Sequence, residues 1–86
     1  MAFYKILIKR SAEKELRKIS SSELSRVMQK IEALADHPRP SGVQMLKGED
    51  QCFRLRQGNY RIIYEVDDIK REIMVIKVGH RREVYR

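Results

Sequence analysis

Residues 52–66 of the chain read CFRLRQGNYRIIYEV, and this segment governs the fold. Apolar and polar residues alternate on both sides of a central Gly58-Asn59 pair, with Phe53 before the pair and Ile62 after it. A period of two is typical of a strand with one buried face, and a Gly-Asn pair is typical of a two-residue hairpin loop. The segment therefore predicts two antiparallel strands.

A third strand follows this hairpin. Residues 67–70 are turn-forming, and the stretch from Glu72 to Gly79 again alternates. Alternation places Met74, Ile76 and Val78 on one predicted face and Ile73, Val75 and Lys77 on the other.

The segment before the hairpin predicts one strand and two helices. Alternation over residues 3–9 indicates a strand, and Ser11 is the predicted N-cap of a short helix. Ser20 and Glu23 have the spacing of a capping box that begins a longer helix. The two prolines in residues 37–42 end that helix.

The order of elements is thus a strand, two helices and three consecutive antiparallel strands. It predicts a single α+β domain over residues 1–86, with an N-terminal strand, an αα-hairpin and a three-stranded meander. All strands belong to one sheet, and the helices cover one face of it.

The chain is strongly basic. Its 86 residues include 19 lysines and arginines and 12 acidic residues, which gives a net charge of +7 and a pI near 9.9. A pI above about 9 is typical of nucleic-acid-binding domains. A net charge of this size also serves solubility alone, so charge leaves both interpretations open.

The compartment is predicted by three features. Cys52 is the one cysteine, so the chain lacks the disulfides of small secreted domains. No apolar run approaches the roughly 20 residues of a membrane span. Residues 1–10, MAFYKILIKR, lack the long apolar stretch and cleavage site of a signal peptide. We expect a cytoplasmic protein without a membrane partner.

Several arginines are gathered by the predicted topology. If the apolar residues of the hairpin face the helices, Arg54, Arg56 and Arg61 face away from them. Arg81 and Arg82 follow the last strand. Like charges at such spacing repel, and a bound polyanion would relieve the repulsion. The alternative is a solvated sheet face whose arginines pair with nearby acidic residues, namely Glu65, Asp67 and Glu72.

Other chemistry is scarce in the sequence. There is no glycine-rich phosphate loop, and Cys52, His37 and His80 lack the spacing of a zinc site. We expect no cofactor and no metal, so nuclease activity would be metal-independent.

Four segments carry a family resemblance. LKG at 46–48, CFRLR at 52–56, GNYRIIY at 58–64 and VGHRREVYR at 78–86 resemble the RelE/ParE toxins of type II toxin–antitoxin systems. The resemblance covers nearly the whole chain. It implies the RelE-like fold and, for the RelE branch, a ribosome-dependent endoribonuclease that cleaves messenger RNA.

The resemblance also implies site residues. The catalytic set of RelE-like ribonucleases matches Arg54, Arg56, Arg61, Arg81 and Tyr85 of this chain. The family often has lysine at the first two positions, and this chain has arginine, whose planar fork differs from a compact ammonium.

In the implied reaction, a ribose 2′-OH attacks the adjacent phosphate. Tyr85 is the implied base, Arg81 assists the leaving oxygen, and His80 is an alternative acid or base. Lys77, Arg82 and Arg86 are expected to contact RNA.

The implied partners are the ribosome with its message and a cognate antitoxin, which is acidic and partly disordered when free. Two other functions stay open: a topoisomerase-poisoning toxin of the ParE branch, and a non-catalytic basic RNA-binding module. The fold is shared between the two toxin branches and so does not choose between them.

Overall fold

A computed structural model of the protein describes residues 3–48 and 50–84, apart from the side chains of residues 83 and 84. The strands in these residues are β1 (Lys5–Ile8), β2 (Gln44–Met45), β3 (Cys52–Gln57), β4 (Tyr60–Asp67) and β5 (Glu72–His80). The helices are α1 (Arg10–Leu16), α2 (Ser21–Ala33) and α3 (Arg81–Val84).

The strands form one mixed sheet in the order β1-β5-β4-β3-β2. The first strand lies parallel to β5, and the other neighbours are antiparallel. The predicted α+β class is confirmed, but the predicted strand count was one too low. Sequence patterns missed β2 because its two residues are both exposed, so it shows no alternation of apolar and polar residues.

The core lies between the helical segments and one face of the sheet. The helical segments contribute Ala12, Leu16, Ile19, Val27, Ile31 and Leu34. The strands contribute Phe53, Leu55, Ile62, Tyr64, Val66, Ile73, Val75 and Val78. Full burial of one such aliphatic side chain stabilises the fold by about 1.5–3 kcal/mol. This apolar layer covers one face of the sheet, so a binding site on the sheet has to lie on the opposite face.

An irregularity in β5 changes its predicted faces. Lys77 pairs with Ile63 and Val75 pairs with Tyr64, so Ile76 is left without a pairing partner on β4. An extra residue of this kind is a β-bulge, and it shifts the alternation by one. The predicted grouping of Met74 and Ile76 with Val78 was therefore wrong. The residues of β5 that pack in the core are Ile73, Val75 and Val78.

The helix starts differ in part from the capping predictions. Ser11 was predicted as an N-cap but lies inside α1, which is preceded by Lys9. Ser20 does precede α2, as predicted. Its hydroxyl donates to Glu23 Oε1 at 3.3 Å and makes no hydrogen bond to the helix backbone, so the capping box is incomplete.

The free edge of β5 is covered by a side chain of α1. Lys9 donates its backbone N–H to the Val75 carbonyl at 2.9 Å, after which the chain turns into the helix. Further along β5, the Glu15 carboxylate accepts the Val78 backbone N–H at 2.9 Å. Glu15 thus satisfies a backbone group that would otherwise need a neighbouring strand.

The loop after α2 is anchored by two side chains. Tyr64, which is buried in the core, donates its hydroxyl to the Pro38 carbonyl at 2.7 Å. Burial raises the pKa of Tyr64 to about 12, so the hydroxyl stays protonated and remains a donor. Arg39 bonds Asp68 Oδ2 at 2.7 Å and also donates to Gln51. Its guanidinium lies over the Phe53 ring, 5.5 Å from the centroid.

Asp68 joins this loop to the N-terminal strand. The Tyr4 hydroxyl donates to Asp68 Oδ1 at 2.5 Å, on the same carboxylate that binds Arg39. Arg39 first, and then the Tyr4 hydroxyl, lower the pKa of the Asp68 carboxyl. The segment before β1, the turn between β4 and β5 and the loop between α2 and β2 therefore meet at one charged group.

A helix that spans a bilayer needs about 20 apolar residues. The helices of residues 3–48 and 50–84 fall short of this requirement, and α2 is 13 residues long.

We predict that Asp68→Asn destabilises the protein in a pH-dependent way. Because the pKa of Asp68 is lowered in the folded state, its contribution is complete above the unfolded pKa of about 3.9. That contribution is lost as the pH falls through the lower folded pKa. The difference in the free energy of unfolding between wild type and variant should thus shrink below about pH 4. Urea denaturation at several pH values measures it, with the exposed Asp36→Asn as a charge-matched control. A difference that stays constant down to pH 2 would contradict the assignment.

Candidate nucleic-acid interface

Three arginines line a pocket on the sheet face opposite the helices. Leu55 and Ile62 point into the core, so alternation turns Arg54, Arg56 and Arg61 to the other face. The pocket has a volume of about 130 Å³ and is lined by Gly42, Gln44, Arg54, Arg56 and Arg61. We call it the arginine pocket.

Two of these arginines face each other across the hairpin. Arg56 of β3 is the direct pairing partner of Arg61 of β4. Like charges directly opposite on neighbouring strands are unfavourable, by up to about 1 kcal/mol. Arg56 is exposed, whereas Arg61 is only 4% exposed. The arrangement concentrates positive charge at one place on the sheet.

Arg61 is fixed by the hairpin turn that it adjoins. Its Nη1 donates to the backbone carbonyls of Gly58 and Tyr60, at 3.1 and 3.0 Å. A buried charge is tolerated only where such hydrogen bonds replace its hydration. The turn therefore holds this guanidinium in a defined position.

Arg54 is held from the neighbouring edge strand. Its Nη2 donates to Gln44 Oε1 at 2.6 Å. Sequence patterns predicted neither Gln44 nor Gly42 as a site residue. The glycine at position 42 was the available signal, because glycine favours turns. The structure places it, with a φ of +87°, in the turn that leads into β2.

Arg81 begins α3 beside the same hairpin. Its backbone N–H donates to the Asn59 carbonyl at 2.7 Å, and Arg81 and Arg82 are both exposed. The short helix packs against the ends of β4 and β5. Arg81 thus lies next to the turn that holds Arg61. The predicted site residues Tyr85 and Arg86 lie outside the described residues.

His80 lies on the other face of the sheet. It pairs with Tyr60 across β4 and β5, and their rings meet edge to face with centroids 5.9 Å apart. Tyr60 packs against the core, so His80 is on the helix side. There it lines a separate cavity of about 150 Å³ with Glu15, Lys18, Ile19, Tyr60, Val78 and Gly79. The structure does not bring His80 into the arginine pocket.

Lys77 is engaged by a carboxylate. Its Nζ lies 3.1 Å from Glu15 Oε2, and both side chains are partly exposed. Lys77 thus lies at the β5 edge beside α1 and is not among the residues that line the arginine pocket.

Metal-ligating residues are not clustered in the described part of the chain. Residues 3–48 and 50–84 contain no group of three or more His, Cys, Asp and Glu side chains placed to hold an ion. Cys52 is buried in β3. The chemistry that the arginine pocket itself offers is electrostatic: oriented guanidinium groups that can bind a phosphate.

Comparison with known proteins gives a family match. A family model described as the ParE toxin of type II toxin-antitoxin systems, parDE, matches residues 6–85. The mRNA interferase toxin RelE of Escherichia coli (strain K12) is 36% identical over 78 residues. That alignment covers 86% of this chain and 81% of the relative.

Solved structures show the same fold. The isolated E. coli RelE toxin superposes with a TM-score of 0.81 at 31% identity, over 95% of this chain and 90% of that one. The archaeal RelE–RelB complex from Pyrococcus horikoshii gives a TM-score of 0.82 at 27% identity, over 94% and 97% of the two chains.

We predict that Arg56→Gln stabilises the isolated protein slightly. The substitution removes the like-charge pair with Arg61 and should raise the free energy of unfolding by about 0.2–1 kcal/mol. The gain should diminish in high salt, because salt screens the repulsion. Urea denaturation measures it, with Arg26→Gln on the exposed side of α2 as the control, where a change within about 0.5 kcal/mol is expected. A clear loss of stability in Arg56→Gln would show that Arg56 serves the fold.

Proposed function

Because the chain belongs to the RelE/ParE family of toxins from type II toxin–antitoxin systems, we propose that it cleaves messenger RNA on the ribosome. The observation that carries the proposal is the arginine pocket. Three guanidinium groups from two adjacent strands meet on the open face of the sheet. The E. coli relative is named an mRNA interferase, and 86% of this chain aligns with it.

The pocket fits the electrostatic demand of RNA cleavage. When a ribose 2′-OH attacks the adjacent phosphate, negative charge builds up on the oxygens of the phosphorane. Guanidinium groups bind such oxygens in pairs, through two parallel hydrogen bonds. Groups that are already oriented need little reorganisation as charge develops, and this is usually the largest catalytic effect. Arg54 is oriented by its hydrogen bond to Gln44, and Arg61 by its hydrogen bonds to the hairpin carbonyls.

The proton transfers require groups beyond the pocket. In the proposed reaction, Tyr85 accepts the proton of the 2′-OH. The 2′-oxygen bonds to phosphorus as the bond to the 5′-oxygen breaks. Arg81 stabilises the charge on that leaving oxygen, which takes its proton from water. The products are a 2′,3′-cyclic phosphate and a free 5′-hydroxyl.

The need for the ribosome follows from how little the pocket supplies. Among the described residues, its lining is one glycine, one glutamine and three arginines, a set without the histidine or carboxylate side chains that most often transfer protons. His80, the alternative acid or base, lies on the opposite face. We propose that the ribosome positions the message and completes the site, with Lys77, Arg82 and Arg86 as further RNA contacts. The protein would act in the cytoplasm, without a metal ion or cofactor.

A cognate antitoxin is the proposed regulator. RelE of P. horikoshii and RelE of E. coli were each crystallised with RelB. With a net charge of +7, this chain favours an acidic partner, which we propose is partly disordered when free.

A second candidate function comes from the name of the family model. Because that model describes a ParE toxin, a topoisomerase poison is the competing function. A non-catalytic basic RNA-binding module is the third. Arg54, Arg56 and Arg61 in one pocket favour the ribonuclease, because the ParE branch typically lacks the full catalytic set.

We predict that arginine substitutions separate these functions. In a cleavage assay on ribosomes programmed with message, Arg54→Ala, Arg56→Ala, Arg61→Ala and Arg81→Ala should each lower the rate about a hundred- to thousandfold. Arg17→Ala, just after α1, and Arg26→Ala, on the exposed side of α2, should change it little. Arg61→Lys retains the charge and controls for misfolding at this buried position. Equal, small effects at all positions would show that the pocket is only a solvated surface.

A growth assay in cells tests the same site. Expression without an antitoxin should arrest growth, and the Arg81→Ala/Tyr85→Phe double variant should relieve the arrest. Persistent topoisomerase-linked DNA breaks in the double variant would instead favour the ParE function.

We further predict the chemistry of the RNA ends. Cleavage should survive EDTA when polyamines such as spermidine keep the ribosome intact. The products should carry 2′,3′-cyclic phosphate and 5′-hydroxyl ends, which mass spectrometry of the fragments can read. A 3′-hydroxyl together with a 5′-phosphate would indicate metal-activated water and refute the mechanism.

A further inference from the structure

Gln44 contacts the arginine pocket through one specific hydrogen bond. Gln44 and Arg54 are paired across β2 and β3, so their side chains share a face of the sheet. The amide oxygen of Gln44 accepts from Arg54 Nη2 at 2.6 Å. We infer that Gln44 is a positioning residue that holds the Arg54 guanidinium for an RNA phosphate without neutralising its charge. This inference rests on the proposed function.

Gln44 holds Arg54 through a neutral oxygen. The side-chain amide accepts from the Arg54 guanidinium, whereas carboxylates accept from Arg17, Arg39 and Lys77 at other places in the described chain. No residue that lines the described pocket is acidic. A carboxylate at position 44 would also hold Arg54, but it would compete with the phosphate for the same charge.

The segment that carries Gln44 is anchored on the sheet. The Leu46 N–H donates to the Cys52 carbonyl at 2.8 Å, immediately beyond the two residues of β2. On the other side, the buried Tyr64 hydroxyl holds Pro38, and the Val43 N–H donates to the Pro40 carbonyl at 3.2 Å. An exposed two-residue strand thus has a fixed backbone. The backbone pairing therefore keeps the Gln44 side chain beside that of Arg54.

Gln44→Met tests the positioning role, because methionine keeps the length and removes the acceptor. In single-turnover cleavage on saturating programmed ribosomes, the rate should fall about tenfold, since hydrogen bonds to charged groups are the stronger ones. Adding Gln44→Met to Arg54→Ala should cause no further loss if Gln44 acts through Arg54. Independent, multiplicative losses in this double-mutant cycle would overturn the inference.

Gln44→Glu tests the neutrality of the acceptor. If only orientation mattered, the carboxylate would support cleavage as well as the amide does. We expect instead a larger loss than with Gln44→Met. The slope of log affinity against log salt for a short single-stranded RNA should also fall by about 0.7, the share of one phosphate contact. Gln29→Glu on the exposed side of α2 makes the same charge change and should leave both measurements near wild type. A Gln44→Glu protein as active as wild type would overturn the inference.

A structural readout keeps this inference separable from the proposed function. Nitrogen-15 NMR of the arginine side chains should show the Arg54 guanidinium more mobile in Gln44→Met than in wild type. An unchanged Arg54 signal would overturn the inference whatever the enzyme does. If wild type fails to cleave any message, the proposed function falls. In that case, the affinity of Gln44→Met for a short RNA tests whether Gln44 positions Arg54. An affinity equal to that of wild type would overturn the inference.

Discussion

The register between β3 and β4 is the constraint on which both the core and the site depend. Leu55 opposite Ile62 fills the core, and one step along the ladder Arg56 opposes Arg61 on the other face. A slip of one residue would exchange the two faces and drive arginines into the apolar layer. The burial of Leu55 and Ile62 beneath the helices therefore also determines that the arginines converge. The core and the candidate site therefore use alternate residues of the same hairpin.

Much of the fold could be predicted because it is encoded in local periodicity. The hairpin loop at Gly58-Asn59 and the apolar spacing of α2 carry their own signals, and both elements occur where they were expected. The bulge at Ile76 carried no such signal. It is set by how β5 fits its neighbour, and it reverses the faces of the residues before it. The edge strand β2 was missed for a related reason, since it is defined by its pairing with β3 and its two exposed residues show no pattern of their own.

The candidate site was predictable to the same extent. Arg54, Arg56 and Arg61 followed from alternation on the hairpin. Gln44 did not, because its contact with Arg54 spans two segments and no pattern marks it. The side of the sheet on which His80 lies depends on its pairing with Tyr60, at the end of β5 beyond the bulge. Periodicity alone does not reveal this pairing. The roles of Tyr85 and Arg86 rest on the family resemblance, because both residues lie outside the described part of the chain.

The parallel pairing of the first and last strands has a consequence for synthesis. Lys5 lies beside Glu72, and Ile8 beside Val75, so β1 pairs with a strand that is distant from it in the sequence. The hairpin of β3 and β4 can form from adjacent residues, but closing the sheet across so many residues is slow compared with local pairing. A nascent chain therefore cannot pair β1 until residues 72–75 have left the exit tunnel. The topology thus places closure of the sheet after synthesis of the hairpin that carries the arginine pocket.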